Sequence, residues 1–152
     1  MPGSGRGSAR WRCWNPAPCP TSPRVQAASA LTAGRVQETF QTQVLGAINS
    51  VTQVLPDMRV RGRGTLLFTT GAATVLSVPA ISSVAVPLAA LRKYALDLNA
   101  ELADQGIYAA HVCIGRVIEP GTEGDPDRLA EACFELYQQR DRAERLLAFP
   151  ER

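Results

Sequence analysis

Lysine is almost missing from this chain: Lys93 stands alone against 15 arginines, and histidine too occurs only once, as His111. Any acid-base pair that needs a lysine, and any metal site that needs several imidazoles, therefore has very few places to be. The four cysteines, Cys13, Cys19, Cys113 and Cys133, form no C-x-x-C pair, and His111 sits in an apolar run away from all of them, which argues against a zinc centre. Charge of one sign is scarce as well. A formal net charge of +2, with the arginines scattered, gives no tract that could follow a phosphate backbone, so nucleic-acid binding is not expected. No stretch approaches the ~18 apolar residues of a membrane span, and no hydrophobic signal core follows the arginine-containing N-terminus. Cys113 and Cys133 fall in apolar-patterned segments and read as buried, reduced thiols. Together these features predict a soluble cytoplasmic protein without a membrane or nucleic-acid partner.

What is present is the make-up of one globular domain: 152 residues, 45% of them hydrophobic and 20% charged. Residues 1–34 stand apart. They are rich in Gly, Ser, Pro, Ala and Arg, and the first acidic residue is Glu38. That composition suits a transit peptide, or a frame translated from a misplaced start; we read it as a poorly packed leader ahead of a domain spanning 35–152.

From Val36 onward, Phe40, Val44, Ala47, Ile48, Val51, Val54, Leu55 and Met58 recur at three- and four-residue intervals, which predicts an amphipathic helix. Pro56 should kink or loosen its last turn, and the run RVRGRG (Arg59 to Gly64) should end it. TLLFTT (Thr65 to Thr70) reads as a short buried strand. After a turn-like stretch, Ser82 or Ser83 is placed to cap a second helix, whose stripe is Val84, Leu88, Leu91, Ala95, Leu98 and Leu102. Gly106 should stop that helix in a left-handed turn. IYAAHVCI (Ile107 to Ile114) then reads as a second buried strand, with His111 as a core residue. Asp125 and Pro126 should cap a third helix that runs to about Gln139 and turns Leu129, Ala132, Cys133 and Leu136 inward. RLLAFP (Arg145 to Pro150) is apolar enough for a last strand. Helices alternating with near-continuous apolar strands predict an α/β fold with a parallel sheet.

Four segments carry a resemblance: VLGAINSVTQVLPDM (Val44 to Met58), RGRGTLLFTTGAA (Arg61 to Ala73), AALRKYALDLNAELADQGIYAAHVCIG (Ala89 to Gly115) and GDPDRLAEACFELY (Gly124 to Tyr137). In this order they resemble the carboxy-terminal part of the short-chain dehydrogenase/reductase family. The resemblance implies a partial Rossmann-type, three-layer αβα sheet without its first strands. It also implies an oxidoreductase that moves a hydride between NAD or NADP and an alcohol or carbonyl. In that family a Tyr is followed four residues later by a Lys that lowers the phenol pKa, a Ser orients the substrate oxygen, and an Asn supports a proton relay. Aligning AALR here with the family's KAALR places the Tyr at Val84, the Lys at Leu88, the Ser at Gly71 and the Asn at Gln43, so no catalytic residue is carried over. The glycine-rich nucleotide turn has no counterpart either: GSGRG (Gly3 to Gly7) follows no strand and opens no apolar helix. Thr70 and Gly115 are the two positions at which the resemblance implies cofactor contacts.

The expectation is thus a family member that is catalytically inactive as this chain. The alternatives are an interaction module that pairs through its two long helices, with a second copy or with an intact homologue, and a truncated product with TLLFTT as an exposed sheet edge.

Overall fold

A computed structural model describes residues 25–147. The expectations for the leader up to residue 24, and for the last residues of RLLAFP, lie outside the described residues. The elements run α1 (Ala33–Phe40), a π-helical turn (Gln41–Leu45), α2 (Gly46–Arg61), β1 (Gly64–Gly71), α3 (Ser82–Leu102), β2 (Ile107–Ile114), α4 (Pro126–Gln139) and β3 (Glu144–Leu147). The three strands form one parallel sheet in the order β1-β2-β3.

The first long helix departs from simple periodicity. The π-helical turn adds a residue to one turn, which rotates the following face. Both Gln43 and Val44 are consequently buried. Beyond it α2 runs on through Pro56 to Arg61, so the proline does not end the helix. Val51 faces in, Leu55 and Met58 are half-buried, and Val54 is exposed.

Two glycines bring β1 and β2 into register. Gly62 closes α2 at φ +61°, and Gly106 closes the turn after α3 at φ +71°. A Cβ on Gly106 would lie 2.3 Å from the carbonyl oxygen of Gly62, so the two left-handed turns pack directly together. The strands leave them side by side, with Gly64 opposite Ile107 and Gly71 opposite Ile114.

Helix α3 covers one face of the sheet. Leu98 and Leu102 pack with Val51, Ile107 and Ala109, while Leu91 packs with Val44 and Ala47. Each fully buried aliphatic side chain contributes about 1.5–3 kcal/mol. Asn99 adds a directional link, its Nδ2 donating to the Ala109 carbonyl at 2.6 Å. The serines do not cap α3 as expected. Ile81 occupies the N-cap and makes no side-chain bond. Ser83 is fully buried and instead accepts from the Gln26 amide at 2.9 Å, while its own amide donates to the Gln26 carbonyl at 3.1 Å. This reciprocal pair ties the segment before α1 to the start of α3.

Asp125 caps α4 as the sequence predicts, accepting from the Asp127 amide at 2.9 Å. Successive strand residues face opposite sides of the sheet. Glu144 reaches Arg92 on α3, whereas Arg145 bonds Glu135 and the Ala132 carbonyl on α4. Helix α4 therefore lies on the side away from α3.

Candidate functional site

In a parallel sheet the C-terminal ends of the strands gather on one side, where α/β proteins place their ligands. Here that end presents Thr70 and Gly71 from β1, Thr74 from the turn after it, Cys113 from β2, and Gly115 just beyond β2. Thr70, Cys113 and His111 share the face toward α3, because Thr70 pairs with Cys113, and His111 lies two residues earlier on β2.

A continuous polar chain runs along that face. Thr74 Oγ1 donates to Thr70 Oγ1 at 2.9 Å, and Thr70 Oγ1 lies 2.7 Å from His111 Nε2. On the other side of the ring, His111 Nδ1 lies 2.8 Å from Glu144 Oε1. Arg92 closes the chain with a two-pronged bond to Glu144, Nη2 reaching Oε2 at 2.8 Å and Nε reaching Oε1. His111 and Glu144 are direct register partners on β2 and β3.

Electrostatics fix the direction of each bond. The Arg92 guanidinium, helped by His111, holds the Glu144 carboxyl at about 2, against an ordinary 4.5, so it is an acceptor at neutral pH. Burial pushes the His111 imidazole below its ordinary value, outweighing the pull of Glu144, so the ring is neutral. A neutral ring facing a carboxylate carries its proton on Nδ1. Nε2 is then the acceptor for the Thr70 hydroxyl. Burial raises the Cys113 thiol, which donates to the Gly71 carbonyl at 3.2 Å and is no thiolate nucleophile.

The positions singled out in the sequence are filled as follows. Val84 and Leu88 are half-buried on α3, Leu88 packing toward the Val44, Ala47 and Leu91 cluster. Gly71 has no side chain to offer. Gln43 is 3% exposed, and its Oε1 has no hydrogen-bond partner. Thr70 is buried and its hydroxyl is engaged at both ends, while the Gly115 amide donates to the Leu147 carbonyl at 2.8 Å. Lys93 pairs with Asp97 on the exposed side of α3, and Tyr94 sets its ring edge-on to Phe68, with centroids 6.0 Å apart. The sequence reading placed His111 in the core but missed its partners Glu144 and Arg92. The available signal was a histidine inside an apolar strand, since a buried imidazole must be hydrogen-bonded.

A family model described as short chain dehydrogenase matches residues 19–125. The chain belongs to the short-chain dehydrogenase family. Its structure is similar to a short-chain dehydrogenase from Rhodopseudomonas palustris, with a TM-score of 0.69 and 21% identity, covering 84% of this chain and 57% of that one. It is also similar to a short-chain dehydrogenase from Streptomyces avermitilis, at TM-score 0.65 and 22% identity, covering 81% of this chain and 56% of that one. An acetoin dehydrogenase from Enterobacter cloacae superposes at TM-score 0.70 and 14% identity, with coverages of 81% and 57%. At these identities the likeness is one of fold, a Rossmann-type parallel sheet flanked by helices. The chain spans a little over half the length of each of these structures. A comparison with curated proteins found no match.

Among the described residues of this short-chain dehydrogenase family member, no cluster of His, Cys, Asp and Glu could hold a metal ion. No described helix is long and apolar enough to cross a membrane.

Proposed function

We propose that this chain is a non-catalytic member of the short-chain dehydrogenase family, one that keeps the Rossmann-type scaffold without the family's tyrosine-lysine acid-base chemistry. The observation that carries the reading is α3 itself. Its Tyr and Lys positions hold aliphatic Val84 and Leu88, and the chain's single lysine is turned outward to Asp97 with its side chain 72% exposed. Losing a positioned acid-base group costs roughly 10²- to 10⁴-fold in rate. The family's cofactor is NAD or NADP, and the described residues do not fit it well. The Thr70 hydroxyl and the Gly115 amide, the two groups the resemblance offers to a nicotinamide nucleotide, are both committed to internal bonds.

The test is titration of the folded chain with NADH and NADPH, read by nucleotide fluorescence, with size-exclusion chromatography on the same sample. The expected result is a folded species with no saturable binding. Saturable binding, or turnover of a carbonyl panel with either nucleotide, overturns the proposal.

A second reading, pairing through the two long helices, draws support from apolar side chains left on their surface. Leu45 is 41% exposed, Val54 40% and Val86 50%. On that reading the chain elutes as a dimer, or pulls an intact homologue into a mixed one, and Val54→Glu with Val86→Glu returns it to a monomer.

A further inference from the structure

Strand β3 buries little. None of its four residues is fully buried, and Leu146 is 50% exposed, whereas seven of the eight residues of β2 are buried. Apolar burial therefore does little to hold β3 in the sheet. The backbone ladder pairs all four of its residues with β2, and its ends are fixed by the His111 amide donating to the Ala143 carbonyl at 2.9 Å and the Gly115 amide to the Leu147 carbonyl at 2.8 Å. The remaining hold on the α3 side is the polar chain through Glu144. Because Gly115 opens the loop 115–125, releasing β3 also frees the start of that loop, which carries Val117 at 81% exposure and Ile118 at 52%.

We propose that Thr74, Thr70, His111, Glu144 and Arg92 form a pH-sensitive latch, which seats β3 and the 115–125 loop at neutral pH and releases them on mild acidification. The connectivity is the reason. A neutral imidazole has one donor and one acceptor, and both are used. An imidazolium has two donors. Its Nε2–H would point at Thr70 Oγ1, so the Thr70 proton would lose the imidazole as its acceptor and the buried Thr74–Thr70 bond would have to reverse or break to give it another. The new cation would also be fully buried, next to a second cation.

The charged and titratable groups facing His111 are Arg92 on α3, Glu144 on β3 and Cys113 on its own strand, while β1 and the turn after it present the neutral hydroxyls of Thr70 and Thr74. Of these only Glu144 favours the imidazolium, and both of its oxygens already accept from Arg92. Burial dominates the balance and favours the neutral ring. Protons are therefore taken up on opening as the pH falls below the ordinary imidazole value of about 6.5.

Hydroxyl, imidazole and carboxylate in series are also the parts of a hydrolytic triad. Here the hydroxyl is not available to attack a substrate. Thr70 is 6% exposed, and its oxygen is capped by the proton of Thr74, itself 9% exposed.

The experiment is hydrogen exchange on the full chain between pH 7.5 and 5.0, corrected for intrinsic exchange, comparing residues 111–115 and 144–147 with the β1–β2 pairing. Protection in β3, and at the amides bonded to it, is expected to fall by up to about tenfold per pH unit below 6.5, the response of one coupled proton. The β1–β2 amides keep theirs, and His111→Gln, which cannot take up that proton, flattens the response. Unchanged β3 protection, loss in step with β1–β2, or a His111→Gln variant with the wild-type response overturns the latch. Should His111→Gln fail to fold, the single imidazole of the wild-type chain reports directly by nitrogen NMR. An Nδ1–H tautomer that titrates below 6.5 is expected, and an Nε2–H tautomer or an imidazolium at pH 7 overturns the proposal.

Discussion

Glu144→Gln keeps the shape of the side chain and removes its charge, so it measures what the carboxylate contributes. The carboxyl is held at about 2 in the folded protein against an ordinary 4.5. At 1.36 kcal/mol per pH unit, that gap corresponds to about 3 kcal/mol of native-state preference for the charged form. The Glu144 side chain is 25% exposed and that of Arg92 35%, so screening reduces the figure to about 2 kcal/mol. The sign follows from a depressed carboxyl: its contribution is fully present above pH 4.5 and is lost as the pH falls from 4.5 toward about 2. With a urea m-value of roughly 1.5 kcal/mol/M, Glu144→Gln lowers the unfolding midpoint at pH 7.5 by roughly 1 M. The gap between variant and wild type then falls to under about half at pH 3 and closes as the pH approaches 2. Urea unfolding followed by circular dichroism across this range is the assay. A difference that stays constant with pH would mean that the cost lies in packing. No difference at pH 7.5 would mean that the Arg92 bond is an ordinary surface pair, and either result refutes the reasoning.

The two left-handed glycines give a matched comparison by thermal melting. Gly62→Ala meets no atom within 4 Å and should cost only the left-handed backbone penalty, about 1 kcal/mol, whereas Gly106→Ala adds a 2.3 Å clash with the Gly62 carbonyl and should cost at least twice as much. Equal losses would show that the two turns do not pack as described. Leu102→Ala empties a fully buried site between α2, α3 and β2, and should destabilise the chain by about 2–5 kcal/mol in urea unfolding.

Much of the fold is legible because its signals are local. The left-handed stop at Gly106, the Asp125 cap, the later α3 stripe of Leu91, Ala95, Leu98 and Leu102, and Leu129, Ala132 and Leu136 on α4 each depend on residues within a few positions of one another, and the structure places them as the sequence predicts. At the start of α3 it is Ser83 and Pro87 that are buried, with Val84 and Leu88, like Cys133 on α4, only half-buried. The π-helical turn at Gln41–Leu45 is less so. Polar Gln43 lies off the apolar stripe, and only packing of the turn between α1, α2 and α3 draws it inside. The polar chain was beyond reach for a different reason. Thr70 and His111 are 41 residues apart, His111 and Glu144 33, and Arg92 and Glu144 52. The sequence could say that a histidine among apolar neighbours needs partners; only the strand register, with His111 opposite Glu144, names them.

The placement of that chain bears on what the domain does. Helix α3 leaves the C-terminal end of β1 and returns to the N-terminal end of β2, so its early turns lie nearest the side where α/β sheets take ligands. Val84 and Leu88 occupy those turns. Arg92 comes one turn later, on a row that drifts by about 40° per four residues, and there it meets Glu144 opposite the fifth residue of β2. The ionisable members of the polar chain, Arg92, Glu144 and the fully buried His111, therefore lie about one helical turn below the ligand side. At that depth a proton bears directly on how β2 and β3 are held together. The helix that holds Val84 and Leu88 at the family's Tyr and Lys positions thus also supplies Arg92, the cation that bonds Glu144 of the last strand, and the proposed non-catalytic role and the proposed latch both rest on this one element.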